Sequence, residues 1–361
     1  MTKQLLRLLP VVLLLGFAAQ AQKIERPKLD PTPSTPAQAQ LIKEGVALHD
    51  QGLYDGAISR YEQVLKENPN NVHALYEMAY TYFQKRDYRK SLEISNQAIQ
   101  FKSDLLPQLY VQIGSCLDEL GESKQAIEVY KSAAKIFPAD YLIPYNLAVT
   151  YTKLNALDDA RAAAKRAAEL NPNHASSQLL LATIFDKGSY KTPSLLAVSR
   201  FLILEPKSAR SEAGLRLLRK LMQGGVQPGK DNNTINIFMD AAPKKDEGDF
   251  GAIDLAISLT KVAEHTEKNK DKTEMQRTVS SFETLLAILS ETAKPDRSKF
   301  TWRYYHPYFV ALKTQGHVEA FVYYIHQHSG SAEVNQWLAD HGDKVKAFIF
   351  WSRSYPWPEA D

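Results

Sequence analysis

The most regular feature of the sequence is a pair of apolar stripes at helical spacing between residues 107 and 138. Small and apolar side chains recur there at i, i+3, i+4 and i+7, a spacing that places them on one face of a helix. The first stripe consists of Tyr110, Ile113, Gly114 and Leu117, and the second of Ala126, Tyr130 and Ala133. Gly121 separates the stripes and Pro138 follows the second, so we predict two antiparallel helices joined by a turn.

Similar helix pairs recur through the first 207 residues. We predict five copies, at residues 38–71, 72–105, 107–140, 141–174 and 175–207. Pro138, Pro172 and Pro206 close three successive copies at an interval of 34 residues. A single pair cannot bury both of its apolar stripes, whereas in a stack each pair covers the one before it. The pattern therefore predicts an all-α array of repeated helix pairs.

Small residues recur where the two helices of each copy come closest, namely Gly45, Ala79, Gly114, Ala148 and Ala182. With the closing prolines, these positions resemble the tetratricopeptide repeat family. The resemblance covers about half of the chain and weakens in the fifth copy, where Ser194 and Val198 replace the expected alanine and aromatic residue. It implies a right-handed superhelical array of helix-turn-helix repeats, whose first helices line a concave groove that holds a peptide or another protein.

The resemblance also implies which side chains face that groove. The groove positions are those of each first helix that point away from its partner helix, and we expect ligand contacts from Tyr76, Tyr80, Phe83, Asp118, Glu119, Tyr145 and Val149. Rigid aromatic rings offer large contact area at small entropic cost, and the two carboxylates could select a basic side chain. The alternative is that the tyrosines pack between repeats and meet no ligand. Some family members grip a terminal carboxylate with lysine, asparagine and arginine in the groove. That clamp is missing here, because its places are occupied by Ile42, Val46, Glu77, Gln108 and Gln112.

The N-terminus predicts export. Lys3 and Arg7 precede an apolar run, and Ala19-Gln20-Ala21 fits a signal-peptide cleavage site, so residues 1–21 are predicted to be a signal peptide. A membrane anchor is the alternative, but the apolar run is shorter than the ~20 residues that span a bilayer. Residues 22–37 are rich in proline and polar residues, which predicts a disordered linker. We therefore expect an exported protein of bacterial type, periplasmic or secreted, with no transmembrane segment after cleavage.

Charge and cysteine content exclude several other classes. The formal net charge is +3, and loss of two cations with the signal peptide leaves +1, which does not suit a nucleic-acid-binding protein. Cys116 is the single cysteine, so no intramolecular disulfide can form. A phosphate-binding loop is suggested by Gly224 to Lys230, but Asp231 stands where Ser or Thr is needed. We expect neither nucleotide nor any other small-molecule cofactor.

Residues 208–361 are predicted to form a helical, repeat-like C-terminal domain rich in tryptophan and tyrosine. Helical spacing indicates helices at residues 208–222, 252–266, 273–290, 302–314, 317–328, 333–340 and 344–352. Between the first two, Ile235 and Ile237 alternate as in a short strand, within a segment that we predict to be a domain boundary. All four tryptophans lie in the last sixty residues, where they could either close the end of the array or form a second recognition surface.

Two functions remain open from the sequence. The first is an exported, non-enzymatic scaffold that binds a protein or peptide in the groove. The second is a hydrolase or metal-binding enzyme that uses the C-terminal histidines with Asp340 or Asp343; these histidines are His306, His317, His326, His328 and His341. Their spacing matches no common metal-binding motif, so we expect no metal and no catalysis.

Overall fold

The structure is a computed structural model that describes residues 26–223, 226–228, 235–237, 246–263, 271–291 and 296–359. The predicted signal peptide at residues 1–21 lies outside the described residues, as do most of the phosphate-loop-like residues. The described chain forms an all-α helical array followed by further helices.

Ten helices form five consecutive antiparallel pairs within the predicted repeats. They are α1 (Pro36–Asp50) with α2 (Tyr54–Glu67), α3 (Val72–Gln84) with α4 (Tyr88–Ala98), α5 (Leu106–Glu119) with α6 (Ser123–Ile136), α7 (Leu142–Lys153) with α8 (Leu157–Leu170), and α9 (Ala175–Lys187) with α10 (Lys191–Leu204). Each second helix packs on the first helix of the next pair, and neighbouring first helices also contact one another. The predicted all-α repeat array is thus confirmed.

Close approach within a pair depends on side-chain size. A Cβ atom at Gly114 would overlap the ring of Tyr130, which lies 16 residues later on the second helix, and Gly45 has the same relation to Tyr61. Where the first position is alanine, the residue 16 positions later is smaller than tyrosine: Ala79 precedes Ser95, Ala148 precedes Ala164, and Ala182 precedes Val198. A larger residue at the first position is therefore matched by a smaller residue at the second, which keeps the contact between the two helices similar.

Residues 26–35 do not form the unpacked linker that the proline content predicts. The backbone at Leu29 pairs with Phe101, and the Lys102 amide donates to the Leu29 carbonyl at 2.8 Å. Asn68 donates to the Thr32 carbonyl at 3.1 Å, while Thr35 caps α1. The disordered-linker prediction is wrong for this segment, because side chains of the repeat loops supply partners for its otherwise unpaired backbone. Pro36 already belongs to α1.

The C-terminal region is mainly helical, as predicted. Its elements are α11 (Ser211–Met222), β1 (Val226–Pro228), β2 (Ile235–Ile237), α12 (Gly251–Ala263), α13 (Glu274–Glu291), α14 (Phe300–Thr314), α15 (Val318–Ile325), a 3-10 turn (Gln327–Ser329), α16 (Ala332–Asp340) and α17 (Gly342–Arg353). The two short strands pair antiparallel, with Val226 opposite Ile237. The strand predicted around Ile235 is therefore present.

Helix α10 is the centre of the molecule's larger core. Every residue from Thr192 to Ile203 is buried, because α9 and α11 pack on one side of α10, and α12, α14 and α15 contact it as well. Helix α13 contacts both α14 and α15. The C-terminal helices thus surround the last repeat, and they do not simply continue the array as further stacked pairs.

The C-terminal aromatic residues take part in this packing. Trp302 stacks on Phe250 with ring centres 4.5 Å apart, and Trp357 stacks on Tyr308 at 4.8 Å. Trp337 and Trp351 are partly buried against the same core. The arrangement favours the first of the two alternatives, in which these rings close the end of the array. None of the helices in the described ranges has the length and apolar character needed to cross a membrane.

Candidate functional site

The first helices α1, α3, α5, α7 and α9 pack side by side and form one continuous wall. Along this wall the helices bury one face against their partners and leave the other face accessible. Two of the predicted groove residues, Tyr80 and Val149, are each 36% exposed, and Glu119 is also exposed. Tyr76, Phe83 and Tyr145 are half-buried. These exposed fractions are those of the whole chain, with the C-terminal helices in place. The described part of the C-terminal region therefore does not cover the wall at these positions.

The aromatic side chains near the N-terminal end of the wall form a stacked row. The rings of Tyr76 and Tyr80 are 6.4 Å apart and nearly parallel, and the ring of His49 stacks on Tyr80 at 5.0 Å. We call His49, Tyr76 and Tyr80 the aromatic row. Tyr54 extends it, with its ring centre 5.4 Å from that of His49.

His49 was not among the predicted contacts. It occupies the position in α1 that Phe83 occupies in α3, 34 residues later, so the repeat register could have identified it. Its Nδ1 lies 2.8 Å from the Thr81 hydroxyl, which holds the imidazole against Tyr80. Phe83 itself turns toward Tyr88, with ring centres 5.2 Å apart, and stands outside the row.

A second aromatic group lies further along the wall. The ring of Tyr145 meets His174 edge-on at 5.0 Å, and Tyr141 approaches the same imidazole at 4.7 Å. His174 Nδ1 lies 2.8 Å from the Ser177 hydroxyl, and burial lowers the pKa of this imidazole. Val149 continues the exposed apolar surface one turn after Tyr145. The wall therefore presents two separate apolar and aromatic areas.

Asp118 does not have the accessible carboxylate that was expected for selecting a basic ligand. It is 7% exposed, and it accepts hydrogen bonds from Ser123 and from Lys153, whose Nζ is 3.3 Å from Oδ2. Lys153 follows Asp118 by 35 residues, one repeat later, so the pair joins neighbouring repeats. Glu119 is exposed but also lies 3.9 Å from Lys153. The negative charge midway along the wall is largely compensated by the protein itself.

The C-terminal region is attached to the array through α8 and α10 and through Gln178 of α9, which accepts a hydrogen bond from the Tyr305 hydroxyl. Glu247 is 1% exposed and pairs with Arg161 and Lys165 of α8, with 3.1 Å between Arg161 Nε and Glu247 Oε1. Arg303 of α14 pairs with Glu169 at 2.6 Å, and the Tyr304 hydroxyl donates to the Ala168 carbonyl at 2.7 Å. Burial lowers the pKa of Lys165, although Glu247 acts in the opposite direction.

The C-terminal histidines do not come together as a metal site. Within the described ranges, no three side chains of His, Cys, Asp or Glu are placed to hold one ion. His306 Nε2 donates to the Leu289 carbonyl at 3.1 Å, His326 Nδ1 to Val322 at 2.7 Å, and His341 Nδ1 to Trp337 at 2.9 Å. Each of these three imidazoles thus donates to a backbone carbonyl group. Nothing in this geometry favours the alternative of a metal-binding enzyme.

Comparisons with known proteins agree with the architecture. A family model described as tetratricopeptide repeat matches residues 119–184, and a model of subunit 3 of the anaphase-promoting complex, or cyclosome, matches residues 50–133. Together the two models match residues 50–184, and this part of the chain is similar to the tetratricopeptide repeat family. Arrays of this family are typical scaffolds of protein–protein interaction, and they are generally not enzymes.

Among curated proteins, the chain is similar to tetratricopeptide repeat protein 1 of Schizosaccharomyces pombe, with 35% identity over 85 residues. It is also similar to the BBSome complex member BBS4 of Bos taurus, with 35% identity over 127 residues. The matches cover 24% and 34% of this chain, but only 8% and 24% of those relatives. The similarity therefore concerns the tetratricopeptide repeats and a small part of each relative.

Several solved structures resemble about half of the chain. TTC0263 of Thermus thermophilus is 23% identical, with a TM-score of 0.43, and the match covers 51% of this chain and 96% of that one. MamA is 21% identical, with a TM-score of 0.37, and covers 49% of this chain and 95% of its own. PilF of Pseudomonas aeruginosa is 17% identical, with a TM-score of 0.41, and covers 52% and 89%.

Proposed function

We propose that this tetratricopeptide repeat protein is an exported, non-enzymatic scaffold that binds a protein or peptide segment along its wall of first helices. The observation that carries the proposal is the aromatic row, which remains accessible while the C-terminal region packs on α8 and α10. Aromatic rings fixed on rigid helices provide contact area without much loss of side-chain entropy on binding. We assign the main ligand contacts to Tyr76, Tyr80, Tyr145 and Val149 and add His49. Of the predicted contacts, this assignment omits Phe83, Asp118 and Glu119.

The row suits a polypeptide ligand for a further reason. Tyr80 is exposed and Tyr76 is half-buried, so the hydroxyl groups of both can donate to the carbonyl groups of an extended segment. The neighbouring carboxylate of Glu77 is engaged by His73, with 3.5 Å between His73 Nε2 and Glu77 Oε1. The surface is thus mainly apolar with hydroxyl groups, which favours apolar and neutral segments over strongly charged ones.

Site-specific photocrosslinking in the producing cell tests the proposed surface. A benzophenone amino acid is placed at Tyr80 in one protein and at Gln125, an exposed residue of the second helix α6, in a control. We expect a discrete polypeptide adduct from position 80 that is absent from position 125. The affinity of the captured partner is then measured with Tyr76→Ala/Tyr80→Ala and with Gln125→Ala. Unchanged affinity in the double tyrosine variant, with folding intact, would remove the row from the binding site.

Export has an independent test. The proposal predicts that the mature protein begins at Gln22 and is found outside the cytoplasm, since Ala19-Gln20-Ala21 fits a cleavage site. Mass spectrometry of the intact protein from fractionated cells measures this directly. A protein that retains Met1 to Ala21 and stays in the cytoplasm would reject the export proposal and leave the binding proposal untouched.

A further inference from the structure

The last helix of the protein, α17, has one face that the described part of the chain leaves uncovered. The opposite face is anchored by Phe348, whose ring meets those of Phe321 and Tyr324 on α15 at 6.2 and 5.6 Å. The uncovered face carries exposed residues at helical spacing. We call them the α17 stripe, and they are Asp343, Lys346, Ala347, Phe350, Arg353 and Ser354.

Phe350 is the most accessible apolar residue of the stripe. It is 76% exposed, the largest value for a bulky apolar residue in the described ranges. It borders an open depression of about 360 Å³, whose other walls are Lys346, Ile349, Arg353 and Ser354. A single exposed apolar residue is common on protein surfaces, so the residues around Phe350 decide what this face can bind.

The order of charges along the stripe favours one kind of partner. Asp343, Lys346, Phe350 and Arg353 follow one another at the spacing of a and d positions in a coiled coil. If a second α17 ran parallel to the first, each residue would face its own copy, and three of the four layers would be Asp–Asp, Lys–Lys and Arg–Arg. If the second helix runs antiparallel, a positions face d positions. Asp343 then faces Arg353, and Lys346 faces Phe350.

Two-fold symmetry doubles these favourable layers. An antiparallel pair centred between Lys346 and Phe350 contains two Asp343–Arg353 ion pairs, and each Lys346 ammonium group lies against the Phe350 ring of the other copy, which attracts a cation. Within one chain, Lys346 Nζ is 3.7 Å from Asp343, but their side chains are 82% and 104% exposed. An ion pair of this kind contributes little, so both charges are free to pair with a second copy.

We propose that α17 is a self-association site, through which two copies of this chain form an antiparallel, two-fold symmetric dimer. A second copy fits the site because the stripe is complementary to itself in this one direction. The stripe lies on α17, whereas the aromatic row lies on α1 and α3, so the dimer carries two copies of that row. Self-association does not depend on what the row binds.

The contact is small, which determines its strength. The helix rises about 15 Å from Asp343 to Arg353. Interfaces of this size belong to the weak and transient class, so we expect a Kd of about 10 µM and reversible exchange between monomer and dimer.

Sedimentation equilibrium of the full chain measures this Kd. Phe350→Ala should raise the Kd at least about tenfold, because the ring is the main apolar contact of the pair. Leu53→Ala is the control, since Leu53 is an apolar residue that is 54% exposed in the turn between α1 and α2, and the Kd should not change. A protein that stays monomeric at about 1 mM, or equal Kd values for the two variants, would overturn the proposal.

Charge reversal tests the direction of pairing. Asp343→Arg alone and Arg353→Asp alone each place like charges face to face in both outer layers, so each variant should dimerise at least about tenfold more weakly. An equimolar mixture of the two variants regains both opposite-charge layers in a mixed dimer, and we expect a Kd close to that of the unmodified protein. Circular dichroism checks that both variants are folded. Folded variants whose mixture does not recover would overturn the antiparallel dimer.

Crosslinking identifies the occupant of the stripe. A benzophenone amino acid at Ala347, an exposed member of the stripe, is activated in the purified full chain mixed with an extract of the producing cell. We expect an adduct of twice the chain mass, which disappears when Phe350→Ala is added. A foreign protein or a lipid in the adduct, in place of the second copy, would assign the stripe to a different partner and overturn the proposal.

Discussion

The first two repeats and the last repeat are built from the same kind of helix pair, but they differ in how much of that pair is buried. In α1 and α3 one face is buried in a small core, and the other presents His49, Tyr76 and Tyr80 on the wall. In α10 residues 192–203 are all buried, because the C-terminal helices cover the side that would otherwise be solvated. A repeat therefore forms a recognition surface or part of a core depending on which helices pack against it.

Truncation of a large side chain should distinguish α10 from the wall most clearly, through the loss in the free energy of unfolding. Phe201 is fully buried in α10, so Phe201→Ala should destabilise the protein by about 3–5 kcal/mol through lost apolar contacts and a cavity. Tyr76→Ala, on the half-exposed wall, should cost about 1 kcal/mol or less. Urea unfolding followed by circular dichroism measures both. Similar losses for the two variants would contradict the contrast between core and wall.

The next largest loss of stability is expected from the buried charge cluster of Glu247, Arg161 and Lys165. Glu247→Gln leaves Arg161 and Lys165 without their buried counter-charge, and we expect a loss of about 3 kcal/mol in the free energy of unfolding. Asp158→Asn is the control, because Asp158 pairs with the same Arg161 at 3.1 Å but is 92% exposed. Exposed pairs contribute about 0–1 kcal/mol. If Glu247→Gln is as mild as Asp158→Asn, the C-terminal region is not held on α8 by this cluster.

Glycine substitutions test the contacts within pairs. Gly114→Ala should destabilise by about 1–3 kcal/mol, because the new methyl group overlaps the ring of Tyr130. Gly56→Ala, on the exposed side of α2, should be neutral or stabilise by up to about 1 kcal/mol through helix propensity. Thermal unfolding of the two variants decides between them, and a stable Gly114→Ala protein would show that the pair can separate without loss.

The smallest expected effect is a difference between the C-terminal region and the second repeat in how their stability depends on pH. Burial lowers the pKa of His306 and His326, so the unfolded state binds more protons than the folded state as the pH falls below about 6.5. The C-terminal region should therefore lose stability on acidification. The hydrogen bond to Glu77 raises the pKa of His73, so its contribution is present below about 6.5 and lost as the pH rises.

Hydrogen exchange between pH 7 and pH 5, corrected for the intrinsic rate, measures this difference by region. His306→Asn should reduce the pH dependence of protection in α13 and α14, where His306 contacts the Leu289 carbonyl. An equal pH dependence in unmodified and variant proteins would exclude His306 as its source.

Sequence patterns predicted the array well because its contacts are local. Helix spacing, the small residues at the helix contacts and the closing prolines all lie within about one repeat. The packing of the C-terminal region depends on contacts such as Arg200 with Ser352, 152 residues apart, which no local pattern reveals. One signal was available, since α10 is apolar on nearly every side and a helix of that kind is normally buried all round.

The candidate site was predicted less completely. Tyr80 and Val149 are exposed on the wall and Tyr76 is half-buried, and their contact with a ligand remains a prediction. Asp118 was misjudged because its partner, Lys153, comes from the next repeat. The predicted linker failed at residues 26–35 for a similar reason, since its partners Asn68 and Phe101 lie in distant loops.

Hydroxyl-radical footprinting of the full-length protein, alone and with its captured partner, tests the central claim most directly. In the free protein, we expect rapid oxidation at Tyr76 and Tyr80 and strong protection of the buried Tyr304, Tyr305 and Tyr308. With the partner, protection should appear at Tyr76 and Tyr80 while the C-terminal tyrosines stay unchanged. Protection of Tyr76 and Tyr80 already in the free protein, or no change on partner binding, would contradict an open wall that receives another polypeptide.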